Sequence, residues 1–249
     1  MANMIYCEFL KFKRSKVRLI VFLGTLVTPL LAIINGIKNH FMHTENAVTL
    51  FGIYDSAFMF LMLLFGPLIF SIIASYLFSR EYTEKTLKTL FVVPISKKKF
   101  LSSKFITLFL CILFLMLISW TEILILGWIC NIAFGIEQFN FPTALFFLIK
   151  MILGAILLYF TITPFAFLAM YTRGFVIPMI VASIIVLGNV ILSSSPIAVF
   201  FPWTASYLIV NNRIRQSACP ASISFLIIFL VFLFSYIYSI LLFEKSDID

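Results

Sequence analysis

Of 249 residues, 63% are hydrophobic and only 11% charged, with 31 phenylalanines and a formal net charge of +8. A soluble domain carries about 25% charged residues to make its polar surface, so this composition excludes an ordinary water-soluble fold. Nucleic acid is a poor account of the positive charge, because the basic residues sit beside apolar runs where anionic headgroups and membrane topology explain them. Cys7, Cys111, Cys130 and Cys219 show no CxxC or metal-ligand spacing.

Crossing a bilayer core takes about 20 apolar residues in a helix, since every backbone polar group must be satisfied internally. The chain reads as an all-α polytopic membrane protein, a single domain over 1–249 with six spans. The first covers 19–37, after Lys11, Lys13, Arg14, Lys16 and Arg18. That basic flank looks like the start of a signal peptide, but the apolar run is longer than the about 7–15 residues of a signal core and no small-x-small site follows. The second span covers 57–79 and the third 105–130, inside a longer apolar run, Phe105–Ile136, interrupted only by Glu122. The fourth, 143–170, contains Lys150 and Pro164; the fifth covers 175–193 and the sixth 222–243. With the N-terminus in the cytoplasm, fourteen of the eighteen Lys and Arg residues fall on that side, leaving Lys38, Lys150, Arg213 and Arg215 at the other. The positive-inside rule therefore places both termini in the cytoplasm.

Ser79–Phe100 joins spans two and three. Glu81 with Lys85, and Glu84 with Lys88, stand at i,i+4 in the favourable order. Leu87, Leu90 and Phe91 share one helical face, and Pro94 stops the helix. The spacing predicts a short amphipathic helix over Arg80–Val93, followed by the basic run Lys97–Lys99. Two readings stand level on physical grounds: a helix lying on anionic lipid, or a docking element whose apolar knobs enter a groove on a soluble partner.

The succession Arg80-Glu81-Tyr82, then Thr86-Leu87 with Leu90, then Pro94-Ile95-Ser96 and basic residues resembles the permease subunits of type-2 ATP-binding-cassette exporters. In that family the loop commonly reads Glu, three residues, Gly-Thr-Leu, then Pro-x-Ser/Arg. Here Lys85 stands where glycine is usual, which implies no turn at that point. The segment around Glu8, Phe9, Phe12, Lys13 and Arg14 is similar to the cytoplasmic elbow helix of the bacitracin-resistance and lantibiotic-immunity branch. The resemblance implies a cell-membrane permease, bacterial in type, that is not itself an enzyme and holds no cofactor. A separate ATPase subunit would bind ATP and Mg, and a second permease copy or a sister permease would complete the transporter. It assigns ATPase coupling to Arg80, Glu81, Glu84, Thr86, Leu87, Leu90, Phe91 and Pro94. The expected cargo is an amphipathic, membrane-active peptide antibiotic. None of the nine glycines opens a GxxxxGK[ST] phosphate loop.

Glu122 is the sole acid inside an apolar run, and intramembrane acids are functional candidates by default. If spans three and four form a hairpin centred near Ile136, Glu122 and Lys150 lie at similar depth and can pair; the alternative is a lysine snorkelling alone. Pro202, Trp203 and Tyr207 suit a re-entrant outer gate or a simple interfacial loop. His40 and His43 near Glu45 lack the further ligands that a metal needs. Ser96–Lys99 matches SxxK without its companion motifs. An ion-coupled carrier is the principal competing class; such carriers place several ionisable groups at midplane in repeated halves, and no repeat is visible here. A lipid, drug or wall-precursor exporter and a membrane scaffold complete the alternatives.

Overall fold

The computed structural model describes residues 2–42, 49–87, 96–134, 140–193, 195–213 and 220–245. Its regular elements are all helical. They run α1 (Ala2–Arg14), α2 (Val17–Met42), α3 (Leu50–Phe60), a π-helical turn (Leu61–Phe65), α4 (Gly66–Thr83), α5 (Lys97–Phe134) and α6 (Phe141–Tyr171). Then come α7 (Val176–Leu192), a 3-10 turn (Pro196–Phe200), α8 (Pro202–Val210) and α9 (Ala221–Lys245). Leu90, Phe91 and Pro94, with Lys88, His43, Glu45, Arg215, Cys219 and the supposed hairpin centre Ile136, lie outside the described residues.

Among the described residues, five helical stretches are long and apolar enough to cross a membrane: Val17–Lys38, Leu50–Thr83, Lys97–Ile132, Phe141–Tyr171 and Ala221–Lys245. The expected fifth span folds as α7, apolar but only 17 residues long. At 1.5 Å per residue it reaches about 26 Å against a hydrocarbon core of about 30 Å. The second stretch starts earlier than the apolar pattern suggests. Thr49 caps α3 by accepting the Gly52 N–H on its hydroxyl at 3.2 Å, so the helix carries Asp55 within it. The third also starts early, so Lys97–Lys99 and Lys104 lie on α5 rather than in a loop.

α6 is the hub, packed against α4, α5 and α9. Gly154 lets α3, the π-helical turn and α5 come close to α6: a β-carbon there would meet Met62 Sδ at 3.0 Å, Phe58 at 3.1 Å and Met116 at 3.2 Å. Large apolar side chains such as Phe114 and Trp128 on α5, Leu187 on α7 and Phe234 on α9 point outward, as a lipid-facing surface requires.

Among the described residues, Pro29, Pro67 and Pro164 interrupt the membrane helices, and each frees a carbonyl four residues back that water cannot reach. Pro29 frees Thr25 O, which accepts the Thr28 hydroxyl at 2.9 Å. Pro164 frees Phe160 O, which accepts the Thr163 hydroxyl at 2.9 Å. The same solution thus appears twice, a threonine directly before the proline. Pro67 has no threonine before it; its orphan, Leu63 O, is taken by the buried Asn189 amide of α7 at 2.9 Å. This carbonyl belongs to the π-helical turn, where Gly66 is required because a β-carbon would collide with Leu61 O.

Asn189→Leu therefore leaves a buried carbonyl unpaired and should cost about 1–3 kcal/mol in thermal unfolding of the purified protein. Pro67→Ala returns an N–H to Leu63 O, so Asn189→Leu should be milder in that background. Equal losses in both backgrounds would show that the amide is not replacing the missing N–H.

Candidate functional site

One end of the bundle gathers α1, the last turn of α4, the first turns of α5, and the ends of α6 and α9. Lys97 Nζ donates to Glu244 O at 3.2 Å and Lys98 pairs with Glu244 at 3.3 Å, tying α5 to α9. The Arg173 guanidinium stands 6.0 Å from the Tyr82 ring, which brings the α6 end to α4. α1 is amphipathic: Met4, Phe9 and Phe12 pack inward, while Lys13 and Arg14 are exposed. The Phe12 ring meets Tyr76 of α4 edge-on at 6.3 Å. At Ser15 the helix stops, its hydroxyl donating to Phe12 O at 2.8 Å, and α2 begins at Val17.

Four charged side chains from three helices close on one another beneath α1. Lys104 of α5 donates to the Glu81 carboxylate and to Leu77 O of α4, and stands 3.7 Å from Glu8 of α1. Lys11 of α1 bonds Glu8 at 2.8 Å and Glu81 at 3.4 Å. The side chains of Lys104, Glu81 and Glu8 are 3%, 3% and 5% exposed, and that of Lys11 33%. Two carboxylates and two ammoniums balance, so each buried charge faces its opposite. Burial alone would lower the Lys11 pKa, but hydrogen bonding and charge from Glu8, then Glu81, raise it above the ordinary lysine value. Lys11 thus remains charged at any physiological pH, and its contribution is lost only as pH climbs through that raised value.

This arrangement corrects the first of the two expected i,i+4 pairs, Glu81 with Lys85, while the second, Glu84 with Lys88, reaches outside the described residues. Glu81 turns inward to Lys104 rather than along the helix to Lys85, and Glu84 bonds the Arg80 Nε at 2.9 Å. It also corrects the expectation of no turn at Lys85. α4 ends at Thr83, and Lys85 takes φ +53°, with Lys85 N donating to Tyr82 O at 3.4 Å and Thr86 N to Glu81 O at 3.1 Å. That pair of bonds is the Schellman ending, whose left-handed residue is usually glycine. The turn that glycine makes in the family pattern is present here with lysine. The predicted helix Arg80–Val93 is therefore divided: Arg80–Thr83 is the last turn of α4, and Leu87, half-buried against the core, follows the turn. Arg173 repeats the ending at α6, with φ +51° and Gly174 N donating to Ala169 O at 3.2 Å.

Glu122 and Lys150 do not meet. Trp120 faces α6, donating its indole N–H to Ala144 O at 2.8 Å. A residue two positions on lies about 200° around the helix, so Glu122 looks away from α6. Both its oxygens are buried without a hydrogen-bond partner among the described residues. Lys150 instead donates to Asn211 Oδ1 at 2.7 Å and lies over the Phe146 and Phe147 rings at 4.9 and 4.8 Å. Asn211 and Arg213 both reach Asp55 at 3.5 Å, forming a second polar cluster at the opposite end of the bundle. Asp55 and Asn211 carry no sequence signal for this: one sits in an apolar helix and the other in a turn. Pro202 and Trp203 open α8, whose residues Thr204–Tyr207 are buried; Trp203 packs 6.1 Å from Phe165 and Tyr207 6.1 Å from Phe58. The segment is a short helix inside the bundle, not a surface loop.

Residues 4–189 match the ABC-2 family transporter protein pattern. The chain is also similar to the bacitracin transport permease protein BCRB of Bacillus licheniformis, 28% identical over 195 residues that cover 76% of this chain and 89% of the relative.

Lys104→Met leaves two buried carboxylates with one partner and should cost about 3–5 kcal/mol in thermal unfolding. Adding Glu81→Met should recover part of that loss; a double variant as unstable as the sum of the singles would break the pairing claim. Lys85→Gly removes the left-handed strain and should stabilise by about 1 kcal/mol, with a lower melting temperature counting against the assigned turn.

Proposed function

Because the chain belongs to the ABC-2 transporter family, we propose that it is the permease of an ATP-driven exporter that removes a membrane-active peptide antibiotic of the bacitracin or lantibiotic type. Permeases of this family are transport components, and ATP hydrolysis lies in a separate subunit. Substrate and direction rest on the similarity to the bacitracin permease together with the resemblance of the elbow and loop segments. Residues 1–249 form one permease domain with six crossings, α7 supplying the short one, and with the basic end and both termini in the cytoplasm. ATP and Mg are held by the partner ATPase, and a second copy or a sister permease completes the pore.

The buried quartet carries this reading. It joins α1, the end of α4 and the start of α5, at the place where the chain leaves α4 for Thr86 and Leu87. A push on the segment from Arg80 to Pro94 then reaches three helices together, since none can shift without separating buried opposite charges. Glu81 and Glu8 are positioning residues in this scheme; Leu87, Leu90 and Phe91 make the contact with the ATPase. Pro202, Trp203 and Tyr207 line the exit half, where α8 packs against α6, α9 and the π-helical turn.

Replacing Leu87 and Leu90 together with Asp should abolish co-purification of the ATPase while the permease remains in the membrane. Retained ATPase would remove the coupling assignment. Cells expressing permease and ATPase should survive higher bacitracin or lantibiotic concentrations than cells expressing either alone; no difference with both subunits present would overturn the substrate assignment.

A further inference from the structure

Beside the quartet, a cavity of about 220 Å³ opens between α1 and α4, lined by Leu10, Lys11, Arg14, Ser15, Tyr76 and Arg80. A single water needs only about 10–15 Å³ of such space, so a group the size of a phosphate fits with water around it. Three of the six lining residues are cations and none is an acid. The neighbouring carboxylates are already committed: Glu8 and Glu81 to Lys11 and Lys104, Glu84 to the Arg80 Nε.

Unused donors remain on the cations. The Arg80 Nη1 is buried without a hydrogen-bond partner among the described residues, although its Nε is satisfied by Glu84. Lys11 gives two of its three ammonium protons to Glu8 and Glu81. Arg14 is exposed at the rim. A buried guanidinium nitrogen with nothing to bond costs stability that an anion would recover, and the planar guanidinium fork matches phosphate oxygens.

We propose that this cavity binds a phosphate group, with Arg80 and Arg14 as the principal donors and Lys11 completing the cradle. The site lies where α1 meets the start of α2, whose Leu19 and Ile20 are exposed and apolar, so a phospholipid headgroup can enter with its chains along α2. An occupied site fastens α1 to α4 alongside the quartet, with Lys11 shared between the two. The same chemistry would accept free phosphate from the aqueous side, and the test separates the two.

The full-length permease, assembled with its ATPase, is placed in phosphatidylcholine nanodiscs. Binding of phosphatidylglycerol is measured by native mass spectrometry of retained lipid, and binding of inorganic phosphate by equilibrium dialysis with labelled phosphate. Arg14→Gln, exposed and outside the quartet, is compared with Arg14→Gln/Arg80→Gln and with Lys99→Gln, an exposed lysine away from the cavity. Phosphatidylglycerol should be retained by the parent, weakened by Arg14→Gln, and weakened about tenfold or more in the double variant, with Lys99→Gln unchanged. Saturable inorganic phosphate binding with the same variant pattern and no lipid retention would assign the site to a soluble phosphate instead. Equal lipid and phosphate binding in parent and double variant, or an equal loss in Lys99→Gln, overturns the proposal.

Discussion

Four charges have been taken out of water where α1, α4 and α5 converge, and the rest of that end of the bundle follows from satisfying them. An ion buried alone costs several kcal/mol, so Lys104 inside an apolar surround is tolerable only beside Glu81 and Glu8. That need fixes the orientation of the last turn of α4, which must aim Glu81 inward. It fixes α1 as well, because only that helix brings Glu8 and Lys11 to the same point. The inward turn of Glu81 then explains why Arg80, one residue earlier, points around the helix to Tyr76 and Glu84. Replacing the quartet by apolar residues could hold the helices as well in energy, but it would not oblige them to keep one register.

A second constraint acts through the middle of the bundle, where no water is present to accept a stray hydrogen bond. Helices broken by proline must find a substitute donor within reach. Thr28 and Thr163 supply it locally, whereas Pro67 depends on Asn189 from another helix. The last case couples the π-helical turn to α7, and α7 leads directly into the 3-10 turn and α8. The short α7 is therefore tied to the π-helical turn by that one bond and continues through the 3-10 turn into α8. Among the described residues, left-handed non-glycine backbone is found at helix ends, where Lys85, Arg173 and Asn212 follow α4, α6 and α8. A cation at that place also faces the negative end of the helix dipole.

Much of this architecture was legible in the residues. Apolar length alone located the long helices, because lipid leaves the backbone no other option. Charge bias separated the two ends, and the arrangement gathers Lys11, Arg80, Lys97, Lys104 and Arg173 at one of them. What periodicity could not supply was partner choice. Glu81 has a lysine four residues on and another far along the chain, and local spacing favours the nearer one; burial decides for Lys104. Spacing along the chain paired Glu122 with Lys150, but the Trp120 contact with Ala144 turns Glu122 away from α6, a distinction set by rotation about the helix axis. The turn at Lys85 was hidden because lysine is disfavoured there, and its positive φ with the bonds from Lys85 N and Thr86 N identifies it.

The central claim is that α1, the end of α4 and the start of α5 form one body held by the quartet. Spin labels on the native exposed Cys7 of α1 and on a cysteine replacing Lys99 of α5 report on it directly, with the other cysteines substituted. In the permease assembled with its ATPase, the distance between them should stay a single narrow population whether or not ATP is trapped, and should broaden when Lys104→Met breaks the quartet. A second population on ATP trapping in the otherwise unaltered protein, or no broadening in the Lys104→Met variant, would contradict the account.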